Sequence, residues 1–177
     1  MRKFHYLVHS IVYYVAWFSG ILLAARGYAW LSSLVVMACV FLQIYWQYKI
    51  EHNIQGLWYL IGLVVFFSTL MDSLLLFKGV IIYAANPFAP YFTSPWMIAM
   101  WISFTVILYS TLYKLFSHMI LLGLLSLVGF ALAYASGVKM GAAFYPYGYN
   151  TSFLIGAIWL LLLPFVVYCY KKIMDLK

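Results

Sequence analysis

The stretch that decides the fold is STLMDSLLLFKGVIIY, residues 68–83. In it an acid interrupts an apolar run that is long enough to span a membrane. Burying a charged group in hydrocarbon costs at least ~3 kcal/mol, so a carboxyl group in such a place is usually paired, exposed to water or functional. Asp72 is the only carboxylate within the hydrophobic segments. The rest of the sequence must therefore account for it.

The composition is that of a multi-pass membrane protein, since 68% of the 177 residues are hydrophobic and 7% are charged. The net charge of +7 does not indicate a nucleic-acid partner, because the basic residues lie at the ends of apolar runs. We expect membrane lipids as partners and a single transmembrane domain over residues 1–177. The first apolar run is close to span length and has aromatic residues in its middle, which favours a retained helix over a cleaved signal peptide.

The predicted fold class is all-α, an integral membrane bundle of six transmembrane helices. A helix needs about 20 mostly apolar residues to cross the hydrocarbon, and six segments qualify. Their connections are short, so we expect three hairpins of antiparallel neighbours. The predicted spans are Tyr6–Ala25, Trp30–Trp46, Leu57–Phe77, Trp96–Leu115, Met119–Val138 and Phe153–Tyr170.

The distribution of basic residues predicts that both termini are cytoplasmic. Basic residues favour the cytoplasmic side, and placing the N-terminus inside divides them seven to three. The inner set is Arg2, Lys3, Lys49, Lys114, Lys171, Lys172 and Lys177, and the outer set is Arg26, Lys78 and Lys139.

Each outer cation closes an odd-numbered helix beside a glycine. One interpretation is an ancient parallel repeat of three hairpins. The favoured interpretation is an ordinary helix C-cap, in which glycine ends the helix and the cation interacts with its dipole.

Small residues recur every four positions in the first and fifth predicted helices. Such stripes let backbones approach closely in lipid, so we expect these two helices to pack on each other, with an oligomer face as the alternative. The stripes are Ala16, Gly20 and Ala24, and Gly129, Ala133, Gly137 and Gly141.

The two longer outer loops, residues 84–95 and 144–151, carry no charge and are rich in proline or aromatic residues. Aromatic residues collect at the membrane interface, so the loops are expected to rest in the headgroup layer. The alternative is that they cap a pocket opening sideways to lipid.

The sequence does not favour metal or cofactor chemistry. His5 and His9 have the helical spacing that would let both face one ion, but no carboxylate lies nearby in sequence. Cys39 and Cys169 lie inside predicted helices and are interpreted as buried thiols. We expect no metal site and no cofactor.

Three stretches carry a family resemblance: LMDSLLLFKGV at 70–80, PWMIAMW at 95–101 and LAYASGVKMGA at 132–142. In these, in length and in the pattern of spans, the chain resembles a family of small bacterial polytopic inner-membrane proteins classed as a domain of unknown function. The resemblance implies a multi-pass protein of the bacterial inner (cytoplasmic) membrane with no established activity. It also points to lipid chemistry.

The functional hypothesis concerns Asp72 and the three outer cations. Lys78 is six residues from Asp72 and on a different helix face, so Arg26 and Lys139 are the better candidates to neutralise the acid. If the odd-numbered helices share an interior, Asp72, Arg26, Lys78 and Lys139 form a site near the outer surface for an anionic lipid or other amphiphile.

Other interpretations of Asp72 stay open. It could form a structural salt bridge, or act as the catalytic acid or base of an intramembrane enzyme of lipid modification. The chain could also be a structural partner subunit of another membrane protein. The sequence fixes neither the ligand nor the oligomeric state.

Overall fold

Six α-helices account for most of the chain in the computed structural model, which describes residues 2–175, with side chains from Phe4 onward. The side chains of Arg2 and Lys3, and the whole of Lys177, lie outside this described part. Within it, five helices, all but α4, are long and apolar enough to cross a membrane. The helices are α1 Arg2–Ala25, α2 Ala29–Glu51, α3 Gln55–Phe77, α4 Pro95–Ser110, α5 Met119–Lys139 and α6 Thr151–Asp175.

Helix α4 is shorter than predicted. It ends at Ser110, and a 3₁₀ turn at Tyr113–Ser117 replaces the rest of the expected span to Leu115. Hydropathy does not register this change of helix type, because Leu112, Leu115 and Phe116 continue the apolar run beyond Ser110. At 16 residues α4 is about 24 Å long. Eleven of those residues are buried, since α4 packs against α1, α2 and α3.

Helices α5 and α6 pack closely through glycines. A Cβ on Gly156 would overlap the Leu127 carbonyl oxygen, and one on Gly123 would lie 2.7 Å from the Leu160 carbonyl oxygen. Pro164 has no N–H to donate to Leu160 four residues earlier, so a free carbonyl faces Gly123. The close approach therefore depends on the absence of side chains at these two positions.

The expected packing of α1 on α5 is wrong for most of their length, although the two helices approach each other near their C-terminal ends. Gly20 faces α2 and α4 instead, where its Cβ would lie 2.8 Å from Val36 Cγ2 and 3.2 Å from Met100 Sδ. Among the described residues, α1 and α5 do not pack along their length, and a Cβ on Gly129 would meet nothing within 4 Å. A stripe of small residues shows that close approach is possible but does not identify the partner.

Helices α1, α3 and α5 end in the same way, as the C-cap interpretation predicted. Gly27, Gly79 and Gly141 have φ values of 88°, 65° and 86°, a left-handed conformation that favours glycine. In each case the next residue donates its N–H to a carbonyl five residues earlier, for example Tyr28 to Leu23 at 3.0 Å. This is the Schellman motif, so the recurrent glycines are explained as helix stops.

A two-residue β-ladder, which the sequence did not predict, joins two loops at one end of the bundle. Strand β1, Ile82–Tyr83, pairs antiparallel with β2, Ala143–Phe144. The Ala84 N–H extends the pairing to the Ala142 oxygen at 2.9 Å. Both strands closely follow the glycine stops of α3 and α5, so those turns direct the two loops toward each other. We call this end of the bundle the ladder end.

Candidate functional site

Asp72 accepts hydrogen bonds from three different segments and is 0% exposed. The Tyr83 and Tyr134 hydroxyls donate to its Oδ1 at 3.0 and 2.5 Å, and Trp101 Nε1 donates to its Oδ2 at 2.8 Å. These residues belong to β1, α5 and α4, while Asp72 itself lies in α3. We call these four residues the carboxyl hub. It ties the ladder and α5 to α3 and α4.

The donors are held in place by their own packing. The ladder positions Tyr83, whose ring meets that of Trp96 edge-on at 5.9 Å. Burial, with the neighbouring Asp72 carboxyl, raises the pKa of the Tyr83 phenol well above its usual value, so it remains a donor. The Trp101 ring stacks on Trp159 at 4.5 Å. The side chains of Tyr83 and Trp101 are thus held by contacts other than their hydrogen bonds to the carboxyl group.

The prediction of a cationic partner for Asp72 is wrong. Arg26, Lys78 and Lys139 are exposed at helix ends, and in the described part of the chain none of them pairs with Asp72. The Lys78 Nζ lies 6.0 Å from the centroid of the Phe77 ring. Neutral Tyr and Trp donors satisfy the carboxyl oxygens without bringing a second charge into the bundle.

Sequence reasoning missed Tyr83, Trp101 and Tyr134. A signal for two of them was present, because each of the three stretches that carry the family resemblance contains one member of the hub. Asp72 lies in residues 70–80, Trp101 ends residues 95–101 and Tyr134 lies in residues 132–142. Those short motifs therefore describe one structural site.

A narrow cavity of about 70 Å³ lies beside the hub, between α1, α4 and α5. Tyr83, Trp101 and Tyr134 form part of its wall, with Asp72 behind them. The site hypothesis required an interior shared by α1, α3 and α5, but the third wall of this cavity is α4. Helix α1 supplies Tyr13, Trp17 and Ile21, and α5 adds Ala133 and Gly137. We call this space the outer cavity.

A second, wider cavity of about 250 Å³ continues toward the other end of the bundle. Four residues line both cavities, so the two spaces are adjacent: Tyr13, Phe104, Phe130 and Ala133. The second cavity also reaches Leu115, in the 3₁₀ turn, and Leu122, near the start of α5. We call this space the inner cavity; its wall is formed mainly by α5 and α4, and α1 contributes Tyr13. We call the gap beside α5 that holds both cavities the α1–α5 seam.

The two helices that border the seam converge at the ladder end. The Cβ position of Gly141 lies 3.7 Å from Ala25 Cβ, and that of Gly137 lies 4.0 Å from Ile21 Cδ1. Arg26 directly follows α1 and Lys139 is the last residue of α5. Both are exposed, so two cations flank this end of the seam.

A buried polar group lies between α1, α2 and α4. Ser103 donates to the Gln43 Oε1 at 3.0 Å, and Gln43 and Gln47 are almost fully buried. Ser103 thus links α4 to α2 through an interhelical hydrogen bond. His9 is buried nearby, with its ring 4.5 Å from that of His5. Within residues 2–175 no three His, Cys, Asp or Glu side chains are grouped to hold a metal ion.

The five long apolar helices identify the class of the protein as a multi-pass α-helical membrane protein. Within that class, the family model described as "Protein of unknown function (DUF2878)" matches residues 6–165, and the chain belongs to this family. The match confirms the expected relation to a family of unknown function. No curated protein and no solved structure matches the chain.

Proposed function

We propose that the protein binds an anionic lipid or similar amphiphile at the ladder end of the α1–α5 seam. The observation that carries this proposal is the outer cavity, an apolar and aromatic space that is partly open between two helices. A membrane-embedded opening of this kind is accessible to lipid chains, and its walls offer a chain the contacts it has in the bilayer.

The size of the outer cavity decides which part of the ligand it holds. An engineered cavity of about 150 Å³ binds benzene in a soluble protein, and the outer cavity has about half that volume. It therefore suits a slim hydrocarbon chain and not a bulky headgroup. An anionic headgroup would lie outside, between the exposed side chains of Arg26 and Lys139, which can donate charge-assisted hydrogen bonds.

In this proposal Asp72 acts through its partners. Its oxygens are covered by Tyr83, Trp101 and Tyr134, which face the outer cavity. Asp72 thus positions the wall of the site, while Lys78 interacts with the interface beside Phe77.

For topology we propose six spans in three hairpins, with both termini cytoplasmic, in the bacterial inner membrane. The excess of basic residues on the inner side supports this orientation, and burial of α4 among its neighbours accounts for its shorter length. Alkaline phosphatase fused after Gly148 should then be active, and the same enzyme fused after Asp175 inactive. The reverse pattern would overturn the orientation.

Native mass spectrometry of the purified protein tests the binding proposal. Ala133→Phe places a ring in both cavities and should remove a co-purifying anionic lipid. Leu132→Phe, on the adjacent exposed position of α5, should retain it. Equal lipid content in the two variants would count against the site.

A pair of double variants tests the role of the cations. Arg26→Gln with Lys139→Gln should lose the anionic lipid, because both charges at the ladder end are removed. The control is Lys171→Gln with Lys172→Gln, which removes the same charge near the end of α6 and should keep the lipid. An unchanged lipid profile in the first double variant would refute the proposal that Arg26 and Lys139 bind the headgroup.

The second candidate function is an intramembrane enzyme of lipid modification. The observation that favours it is the Tyr134 hydroxyl, which is 2.5 Å from Asp72 Oδ1 and belongs to the cavity wall. Such a pair could transfer a proton to a bound substrate. Chemical change of a bound lipid that is abolished in Tyr134→Phe, with lipid binding retained, would establish this alternative. A role as partner subunit has less support, because the seam is a cavity and not a flat packing face.

A further inference from the structure

We infer that the amphiphile has one long chain that lies lengthwise in the α1–α5 seam and extends past the middle of the membrane. The inference rests on the proposed function and names its ligand class, an anionic lipid with a chain longer than one leaflet accommodates. It depends on the continuity, the length and the chemistry of the seam.

The two cavities form one groove. Tyr13 on α1, Phe104 on α4, and Phe130 and Ala133 on α5 line both spaces, so the two cavities meet at these four side chains. The groove is narrow at the ladder end and wider beyond Ala133, with volumes of about 70 and 250 Å³. A chain that enters the outer cavity therefore has to pass only these side chains to reach the inner cavity.

The length of the groove exceeds half the membrane. On α5 its lining runs from Leu122 to Gly137, and at 1.5 Å per residue this is about 22 Å. Half of a hydrocarbon core of about 30 Å is about 15 Å. A chain that fills the groove from the ladder end thus reaches into the opposite leaflet.

The wall of the groove suits hydrocarbon along this length. A Cβ on Gly129 would meet nothing within 4 Å, so a space remains where a packed helix would leave none. Ser126 also lines the inner cavity, but its hydroxyl donates to the Leu122 oxygen of its own helix at 2.6 Å. Its hydrogen bond is made without a ligand, and a hydrocarbon chain can pass it.

Charge complementarity sets the direction of the ligand. Arg26 and Lys139 flank the narrow ladder end of the groove, one from each bordering helix. The other end has Lys114, in the 3₁₀ turn that also contains Leu115, and Lys171 of α6, whose Nζ donates to the Phe116 oxygen of the same turn at 3.4 Å. Neither of these cations belongs to α1 or α5. Two cations on opposite sides of the seam favour a phosphate-bearing head at the ladder end.

Two photoreactive alkyl phosphates test the inference on the full chain in lipid nanodiscs. Both are octadecyl phosphates, with a diazirine either beside the phosphate or at the chain end. We expect the first probe to label the ladder end, at Trp17 or Ile21, and the second to label Leu115 or Leu122. Unlabelled octadecyl phosphate should compete with both.

The possible outcomes separate this inference from the proposed function. If both probes label only the ladder end and are competed, lipid binding stands and the lengthwise chain is refuted. If the labels are exchanged between the two ends, the direction is refuted. If labelling is spread over lipid-facing residues such as Phe41 and Leu161, without competition, the proposed function itself fails.

A matched pair of glycine variants gives a second test. Gly129→Phe fills the inner cavity, so it should abolish chain-end labelling at Leu122 while labelling beside the phosphate persists. Gly62→Phe, at an exposed and equally open position of α3, should leave both labels in place. If the first variant does not accumulate, Gly129→Leu serves instead. Unchanged chain-end labelling in the Gly129 variant would refute the lengthwise chain.

Discussion

Replacing Asp72 with asparagine should destabilise the protein measurably without preventing folding. The amide keeps the shape of the carboxyl group but replaces one acceptor oxygen with a donor. If its nitrogen faces Trp101, two N–H groups oppose each other. If it faces the tyrosines, the hydroxyls of Tyr83 and Tyr134 both lose their acceptor. Either orientation leaves at least one buried donor without a partner.

The expected size of the effect follows from that count. A buried donor left without an acceptor costs about 1–3 kcal/mol. For a chain of this size 1 kcal/mol shifts the Tm by about 2–4 °C, so Asp72→Asn should lower it by about 2–12 °C. Asp72→Ala removes all three acceptor contacts and should cost about 3–9 kcal/mol, which is comparable with the stability of a whole domain.

Thermal unfolding of the purified protein in detergent, followed by tryptophan fluorescence, measures this shift. Asp175→Asn is the matched control, because it makes the same change at an exposed position near the end of α6 and should leave the Tm unchanged. An Asp72→Asn protein with the Tm of the wild type would refute the carboxyl hub as a stabilising element.

Three further changes test separate parts of the structure by the same thermal assay. Tyr134→Phe removes one donor while Tyr83 still donates to Asp72, so it should cost about 1 kcal/mol and be non-additive with Asp72→Asn in a double-mutant cycle. Gly156→Ala should lower the Tm by several degrees, because its Cβ overlaps the Leu127 carbonyl oxygen. The control Gly62→Ala meets no atom and should leave the Tm unchanged. Equal Tm values for the two variants would contradict the close packing of α5 on α6. Ser103→Ala leaves the buried Gln43 Oε1 without its donor and should cost about 1–3 kcal/mol, while Ser117→Ala in the exposed turn should have little effect.

The sequence predicted the helices well because the bilayer imposes their length and their internal hydrogen bonds. It also identified Asp72, since the cost of an acid in an apolar run is visible without a structure. The glycines that end α1, α3 and α5 were interpreted correctly as C-caps, because that motif depends on neighbouring residues alone.

The hydrogen-bond partners of Asp72 could not be predicted from the sequence. Trp101 is 29 positions away and Tyr134 is 62 positions away, and both are neutral. The chain has 17 Tyr and 7 Trp residues, so nothing in the composition distinguishes these two. A search for opposite charge led instead to Arg26 and Lys139, which lie at the surface. A two-residue ladder is also too short to leave a periodic pattern.

The buried carboxyl group and the open seam are parts of one arrangement. Helix α5 packs on α6 but not along the length of α1, so a gap remains between α5 and α1 within the described residues. Beside this gap the Tyr134 hydroxyl bonds to Asp72 of α3, and the ladder attaches the loop after α5 to the loop after α3. These two connections hold the wall of the outer cavity without closing the space between α1 and α5. The three hydrogen bonds therefore offset part of the cost of burying the acid. The same bonds hold the side chains that form the wall of the outer cavity.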